Sequence, residues 1–149
     1  VNFGSSFGIS ASALTAQRLR MDVISSNIAN AETTRASVVD GKAVAYRRKL
    51  VVLETSDSNS FANVLNSKMN GQSEGVKVQS ITEDPSPLKP VYNPSHPDAD
   101  AEGYVYMPNV DITKEMVDML SASRSYEANV TMLNASKAMV SKALEIGRA

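Results

Sequence analysis

The sequence predicts a mainly α chain with a β-containing middle: long N- and C-terminal helices paired as a coiled-coil-like hairpin, joined through an extended, β-rich segment. Three observations predict it. Between Asn109 and Ala149 apolar residues recur at alternating spacings of four and three. Near the N-terminus Phe7, Leu14, Met21 and Ile28 recur every seventh residue. Between these ends the composition turns to β-branched runs, prolines and turn residues. Sustained 4-3 spacing is the pattern of a helix that seats on another long helix.

The N-terminal helix is expected from about Ile9 to Asn30, a stretch free of Pro and Gly, with Ser5 or Ser6 as its cap. Leu14, Met21, Ile24 and Ile28 supply its apolar face, widened by Ala13, Ala16 and Val23. It should stop in Ser25-Ser26-Asn27-Ile28-Ala29-Asn30, where Ser and Asn side chains compete for backbone groups. Asp40-Gly41 signals a turn. Tyr46 to Leu53 reads as a strand, and so does the alternating run Gly75 to Ile81. Thr55 to Glu74 is polar, closes on Asn70-Gly71, and reads as an exposed loop with a short helix around Phe61 to Leu65. Pro85, Pro87, Pro90, Pro94 and Pro97 then impose an extended path, and Tyr104 to Met107 reads as a short strand or extended piece.

The C-terminal helix opens at Asn109 and Asp111, with Asp111 as N-cap and Glu115 complementing the helix dipole. Its seam is 112, 116, 119, 123, 126, 130, 133, 137, 140 and 144; eight of these ten positions are apolar or aromatic, Ser123 and Lys137 being the exceptions. A helix from Ile112 to Ile146 is about 52 Å long. The expected organisation is therefore a helical layer from residues 1–32 and 109–149, with residues 33–108 as a β- and Pro-rich middle carrying the polar loop 55–74.

Composition excludes several function classes. With 15 basic and 16 acidic side chains the net charge is −1, which gives no attraction for nucleic acid. No apolar run approaches a bilayer span, and the first residues do not read as a secretory signal. The absence of cysteine excludes disulfide and thiol chemistry. The single histidine, His96, lies between prolines without a spaced nucleophile and reads as a solvated loop residue. Asp98-Ala99-Asp100-Ala101-Glu102-Gly103 matches the opening of a calcium loop, but position 12 is Asn109 instead of Glu, so a polar turn is the plainer reading. Arg47-Arg48-Lys49 reads as a solvated basic face, and Glu83-Asp84 has no apolar pocket to raise a pKa. No catalytic motif, metal site or cofactor is expected.

The helical stripes carry what remains. A single pair of helices leaves apolar area uncovered, because Leu120, Met132 and Met139 lie off the main seam. Uncovered apolar area on this scale points to neighbouring subunits. Methionines suit such contacts by adapting to non-identical surroundings.

Asn27-Ile28-Ala29-Asn30-Ala31, with Ala13, Gln17 and Arg18 upstream and Thr34 after, resembles the N-terminal signature of the axial proteins of the bacterial flagellum. The run Tyr104 to Asp111, then Glu115-Met116-Val117, Ser123 to Asn129, and the tail residues Lys137, Met139, Lys142-Ala143-Leu144 and Ile146-Gly147, is similar to proximal-rod proteins of the flagellar basal body. About two-thirds of the chain carries this resemblance. It implies a subunit that polymerises helically with other rod proteins and copies of itself into a drive shaft, with paired terminal helices lining an export channel and the middle outside. It also implies contacts with the proteins at the junction of rod and membrane ring, and export by the flagellar type III apparatus without a cleaved signal. The residues expected to pack are Leu14, Met21, Ile24 and Ile28 on the first helix, and Met116, Met119, Tyr126, Val130, Leu133, Val140 and Leu144 on the second. Asn27 and Asn30 are expected to orient the chain, through backbone hydrogen bonds, where it leaves the helix. Two long helices on one seam bury too little surface to offset their ordering securely, so partial disorder before assembly is expected. The rival readings are another flagellar axial protein of rod or hook type, a self-contained coiled-coil adaptor binding one partner helix, and an enzyme with a cleft that no motif announces.

Overall fold

A computed structural model describes residues 3–39, 42–56 and 75–146. Two long helices, α1 (Phe3–Ala29) and α2 (Ile112–Ile146), enclose in sequence six short strands. These are β1 (Ser37–Val39), β2 (Lys42–Val44), β3 (Lys49–Thr55), β4 (Val76–Glu83), β5 (Lys89–Tyr92) and β6 (Tyr104–Met107). The strands form three separate two-stranded antiparallel ribbons, β1–β2, β3–β4 and β5–β6. The helices run antiparallel, since Asn27 near the end of α1 meets Glu115 near the start of α2. α1 lies in the middle layer, packed along α2 on one side and touched by β3 and β4 on another.

α1 starts earlier than the sequence suggests: it runs from Phe3 through Gly4 and Gly8, and Ser5 and Ser6 lie inside it instead of capping it. An internal glycine costs a helix about 1 kcal/mol, which contact with α2 can offset. Its end falls where expected. Asn30 Nδ2 donates to the Ser26 carbonyl at 2.9 Å, and Asn30 Oδ1 accepts from Thr33 Oγ1 at 3.2 Å. The Ser26 carbonyl also accepts the Asn30 N–H at 3.1 Å, so Asn30 binds the last turn through both its backbone and its side chain. At the start of α2, Asp111 Oδ1 accepts from the N–H groups of Thr113 (3.0 Å) and Lys114 (3.3 Å), the geometry of an N-cap.

The strand read at Tyr46–Leu53 begins three residues later, at Lys49, and pairs with β4 over Lys49↔Glu83 to Thr55↔Val76, with a bulge between Val52 and Leu53. β1, β2 and β5 were not expected as strands. β1 and β2 pair on either side of Asp40-Gly41; that expected turn, the short helix expected around Phe61 to Leu65 and most of the expected polar loop lie outside the described residues. β5 forms inside the Pro-rich stretch, with Pro90 opposite Tyr106. A two-stranded ribbon is all edge, and an edge tolerates a residue with no N–H to give. Between β5 and β6, Asp100 Oδ1 accepts from the N–H groups of Glu102 and Tyr104, and Gly103 takes φ +84°. Such a φ disfavours any side chain with a Cβ.

Half of the expected α2 seam is shifted by one residue. Met119, Tyr126, Leu133 and Val140 are half-buried, as expected of the face toward α1. Their alternating partners are Glu115, Ala122 and Ser136, all buried, with half-buried Asn129. Met116, expected in the seam, is instead 60% exposed. A 4-3 pattern is compatible with two adjacent phases that share every second contact. Small residues at 122 and 136 let the helices approach closely and decide the phase. Leu144 is also exposed, at 66%. Leu14 and Tyr126 share one groove; continuing that level along both helices sets Phe3 beside the turn of Lys137. α2 therefore runs on past the described start of α1, and Leu144 lies in the overhang. On α1 the buried positions among the described side chains are Ala16, Val23, Ile24 and Asn27. The expected row Leu14, Met21 and Ile28 forms a half-buried flank beside them.

Candidate assembly interface and the polar junction behind it

The end of the helix pair nearest the strands is held by polar side chains. Asn27, 1% exposed, and Glu115, 0% exposed, meet there, with Asn27 Nδ2 donating to Glu115 Oε2 at 3.0 Å and to the Lys49 carbonyl at 2.9 Å. Asn27 Oδ1 accepts from the Lys49 N–H at 2.9 Å and from the Tyr46 hydroxyl at 3.0 Å. One amide thus ties α1 to the first residue of β3 as a strand neighbour would, and to α2 as well.

Arg48 completes the junction. Its side chain is 12% exposed, and its Nε donates to Glu115 Oε1 at 2.6 Å. It also faces Asp118 at 3.4 Å and Asp84 at 3.6 Å. Burial by itself would lower the Arg48 pKa; the hydrogen bond and charge of Glu115, with Asp84 and Asp118, outweigh it and raise it. The Arg48 N–H donates to Asn109 Oδ1 at 2.8 Å, and Asn109 Nδ2 donates to the carbonyls of Asp84 (3.3 Å) and Ser86 (3.1 Å). The Arg47-Arg48-Lys49 cluster is therefore not a solvated face at Arg48, which gathers three carboxylates from β4's end and α2. Glu115 is likewise more than a dipole partner. Sequence reasoning missed this junction because its members are far apart in the chain. The one available signal was Glu115 in the inward phase of α2, four residues before Met119.

The acidic run near His96 proves to be a tether. Asp98 accepts from Thr34 Oγ1 at 2.9 Å and from the Arg35 guanidinium, and its N–H donates to His96 Nδ1. The bonds from Arg35 and Thr34 hold the Asp98 carboxyl below its ordinary value. Asp98 and Asp100 spend their oxygens on these donors instead of converging, and among the described residues no group of His, Asp and Glu is placed to hold a metal. The approach to α2 is packed on buried Val105, Pro108 and Val110, with Lys89 Nζ donating to the Val110 carbonyl at 3.0 Å.

The expected packing residues divide into two sets. Ile24 is buried; Leu14, Met21, Ile28, Met119, Tyr126, Val130, Leu133 and Val140 are half-buried. A groove of about 380 Å³ runs between the helices, lined by Leu14, Thr15, Arg18, Leu19, Asp22 and Tyr126. Met116 and Leu144 lie outside the pair. With them, Ile112, Val117, Leu120, Met132, Met139 and Ile146 are exposed, so α2 presents large apolar side chains along its whole length away from α1. No helix among the described residues is long and apolar enough to cross a membrane.

Comparison with known proteins gives the family. Residues 7–36 match the family model "Flagella basal body rod protein", and residues 101–146 match "Flagellar basal body rod FlgEFG protein C-terminal". The two matches cover α1 from residue 7 with its exit turn, and β6 with α2. The chain is 60% identical over 146 residues to the flagellar basal-body rod protein FlgC of Bacillus subtilis, covering 96% of this chain and 97% of the relative. It is 47% identical to FlgC of Borreliella burgdorferi, covering 95% of each. To FlgC of Salmonella typhimurium it is 44% identical, over 95% of this chain and 96% of that one. The half-buried helix pair, its apolar outer face and near full-length similarity lead to one conclusion: the chain belongs to the FlgC family of flagellar basal-body rod proteins, structural subunits of the flagellum.

Proposed function

We propose that this rod subunit polymerises helically with other rod proteins and with copies of itself, forming the drive shaft that transmits torque and encloses the export channel. In this reading residues 1–32 and 109–149 form the inner helical layer, and residues 33–108 lie outside it. The chain occupies the proximal part of the rod, crosses the periplasm there, meets the proteins of the membrane-ring junction, and leaves the cell through the type III apparatus without a cleaved signal. It carries no enzymatic activity and no cofactor.

The observation that carries this reading is the outer face of α2. Beyond the seam that meets α1, a second set of large apolar side chains from Ile112 to Ile146 is exposed to solvent, an arrangement suited to a helix with partners on two sides. Torque would then pass through many such contacts in parallel. Imaging of isolated basal bodies tests the reading directly: density for this chain in the rod, with both helices against a central channel, is expected. A chain absent from the rod, or a chain whose helices face outward, refutes it. The free monomer offers a second check. Circular dichroism at low concentration should show less helix than the 27 and 35 residues of α1 and α2, and full helicity with cooperative melting counts against disorder before assembly.

A further inference from the structure

We propose that the β3–β4 ribbon is a strap fastened to α1 at both ends, with Ser12 and Gly75 forming the clasp at its far end. The near end is the Asn27 amide, which brackets the N–H and the carbonyl of Lys49. At the far end the Val76 N–H donates to Ser12 Oγ at 3.1 Å, and that hydroxyl donates to the Ile9 carbonyl at 2.7 Å. The Ser56 N–H donates to the Gly75 carbonyl at 2.8 Å, which closes the ribbon beside the clasp.

The lengths of helix and strand match between these two points. Ser12 and Asn27 lie about 22 Å apart along the helix axis and about 60° apart around it, at 1.5 Å and 100° per residue. Thr55, the partner of Val76, stands about 20 Å from Lys49 along a strand. The ribbon therefore runs along α1 and reaches Ser12 without slack. Ala16 and Val23 fall inside the same sector of the helix, and both are buried. Val23 shares one pocket with Leu50, Val51 and Leu53, and another with Ile81 and Thr82.

Gly75 is what lets the clasp shut. A Cβ there would lie 2.6 Å from Ser12 Oγ, so a side chain evicts the hydroxyl from its place between Ile9 and Val76 and both of its bonds are lost. With the two ends held, the ribbon and α1 from Ser12 to Asn27 move as one body. A force on the ribbon then enters the helix at two points instead of through Asn27 alone. The strapped side of α1 is an internal face of the chain and offers no docking surface, as the side against α2 offers none. The strap belongs to the single chain and does not rest on the rod-subunit reading.

The chain contains no cysteine, so an introduced pair has no background. A Cβ at Gly75 lies 3.4 Å from Ser12 Cβ, next to the roughly 3.5–4.5 Å that separates the Cβ atoms of a disulfide. In the purified full chain, Ser12→Cys/Gly75→Cys should lose both free thiols on mild oxidation and stay monomeric. Ser12→Cys/Thr82→Cys, whose second site lies at the Asn27 end of the ribbon, should keep its thiols far longer. Equal rates in the two variants, or thiols retained in the first, overturn the strap. A second measurement decides if the cysteine variant fails to fold. Gly75→Ala should lower the urea midpoint of the natural chain, and by less than half as much in a Ser12→Ala background, where no hydroxyl is displaced. The same shift in both backgrounds, or no shift in either, overturns the clasp.

Discussion

Replacing Arg48 tests the polar junction most sharply. Arg48→Met keeps most of the aliphatic stem, and with it the packing that an arginine stem provides, but removes the guanidinium. Glu115, 0% exposed, then loses its 2.6 Å donor and keeps only the Asn27 amide at 3.0 Å. Breaking a buried pair from one side costs about 3–5 kcal/mol, because a charge is left without compensation. Asp118 is about a third exposed and adds little. Urea unfolding followed by far-UV circular dichroism reads this loss. With a slope of about 1–3 kcal/mol per molar urea, the midpoint falls by more than about 1 M. Glu115→Gln on top of Arg48→Met removes the stranded charge, so the double variant should recover at least half of the loss. A single-variant cost below about 1 kcal/mol, the range of solvated surface pairs, or a double variant no better than the single, refutes the account of Glu115 as a charge held by Arg48.

Three further outcomes are expected. Asp84, bonded first by the Ser86 hydroxyl and N–H and then by Arg48, and Asp98, bonded by Arg35 and Thr34, both titrate below the ordinary carboxylate value of 3.8. Their contribution is present above that value and is lost as pH falls through the lower folded values; thermal melts from pH 6 downward should show an acid loss that Asp98→Asn reduces. Gly103→Ala puts a Cβ into a φ of +84°, 3.0 Å from Tyr92 Cε2 and 3.3 Å from Pro94 Cβ; it should cost at least about 1–2 kcal/mol, seen as a lowered Tm, with Gly103→Asn milder. Leu133→Asp places a carboxylate in the half-buried seam and should cost more than about 2 kcal/mol; normal motility of cells carrying it would show that Leu133 is not in a buried contact.

The two long helices were legible because each carries its own periodic signal, read within a single segment. The phase of their contact was not. Met116 and Glu115 are adjacent, and apolarity favoured the methionine. The structure buries the carboxylate because Arg48 and Asn27, distant in sequence, converge to satisfy it. Arg48 looked like one of three solvated cations for the same reason: nothing local to residues 47–49 announces Glu115 or Asp84. Asp98 likewise read as part of a polar turn, and nothing local to residues 98–103 announces its bonds to Thr34 and Arg35.

By itself, the sequence determined the helical ends, the β-containing middle, the turn at Asp100 to Gly103 and the capping of α2 by Asp111. All of these follow from local spacing, backbone preference and side chains bonding to near neighbours. Tertiary structure alone decided which edge of α2 meets α1, which charges are buried, and which methionines are left outside. Those choices depend on how closely two backbones approach and whether remote polar groups meet. Small residues at Ala16, Ala122 and Ser136 permit the approach, and the Asn27–Glu115–Arg48 junction sets its register.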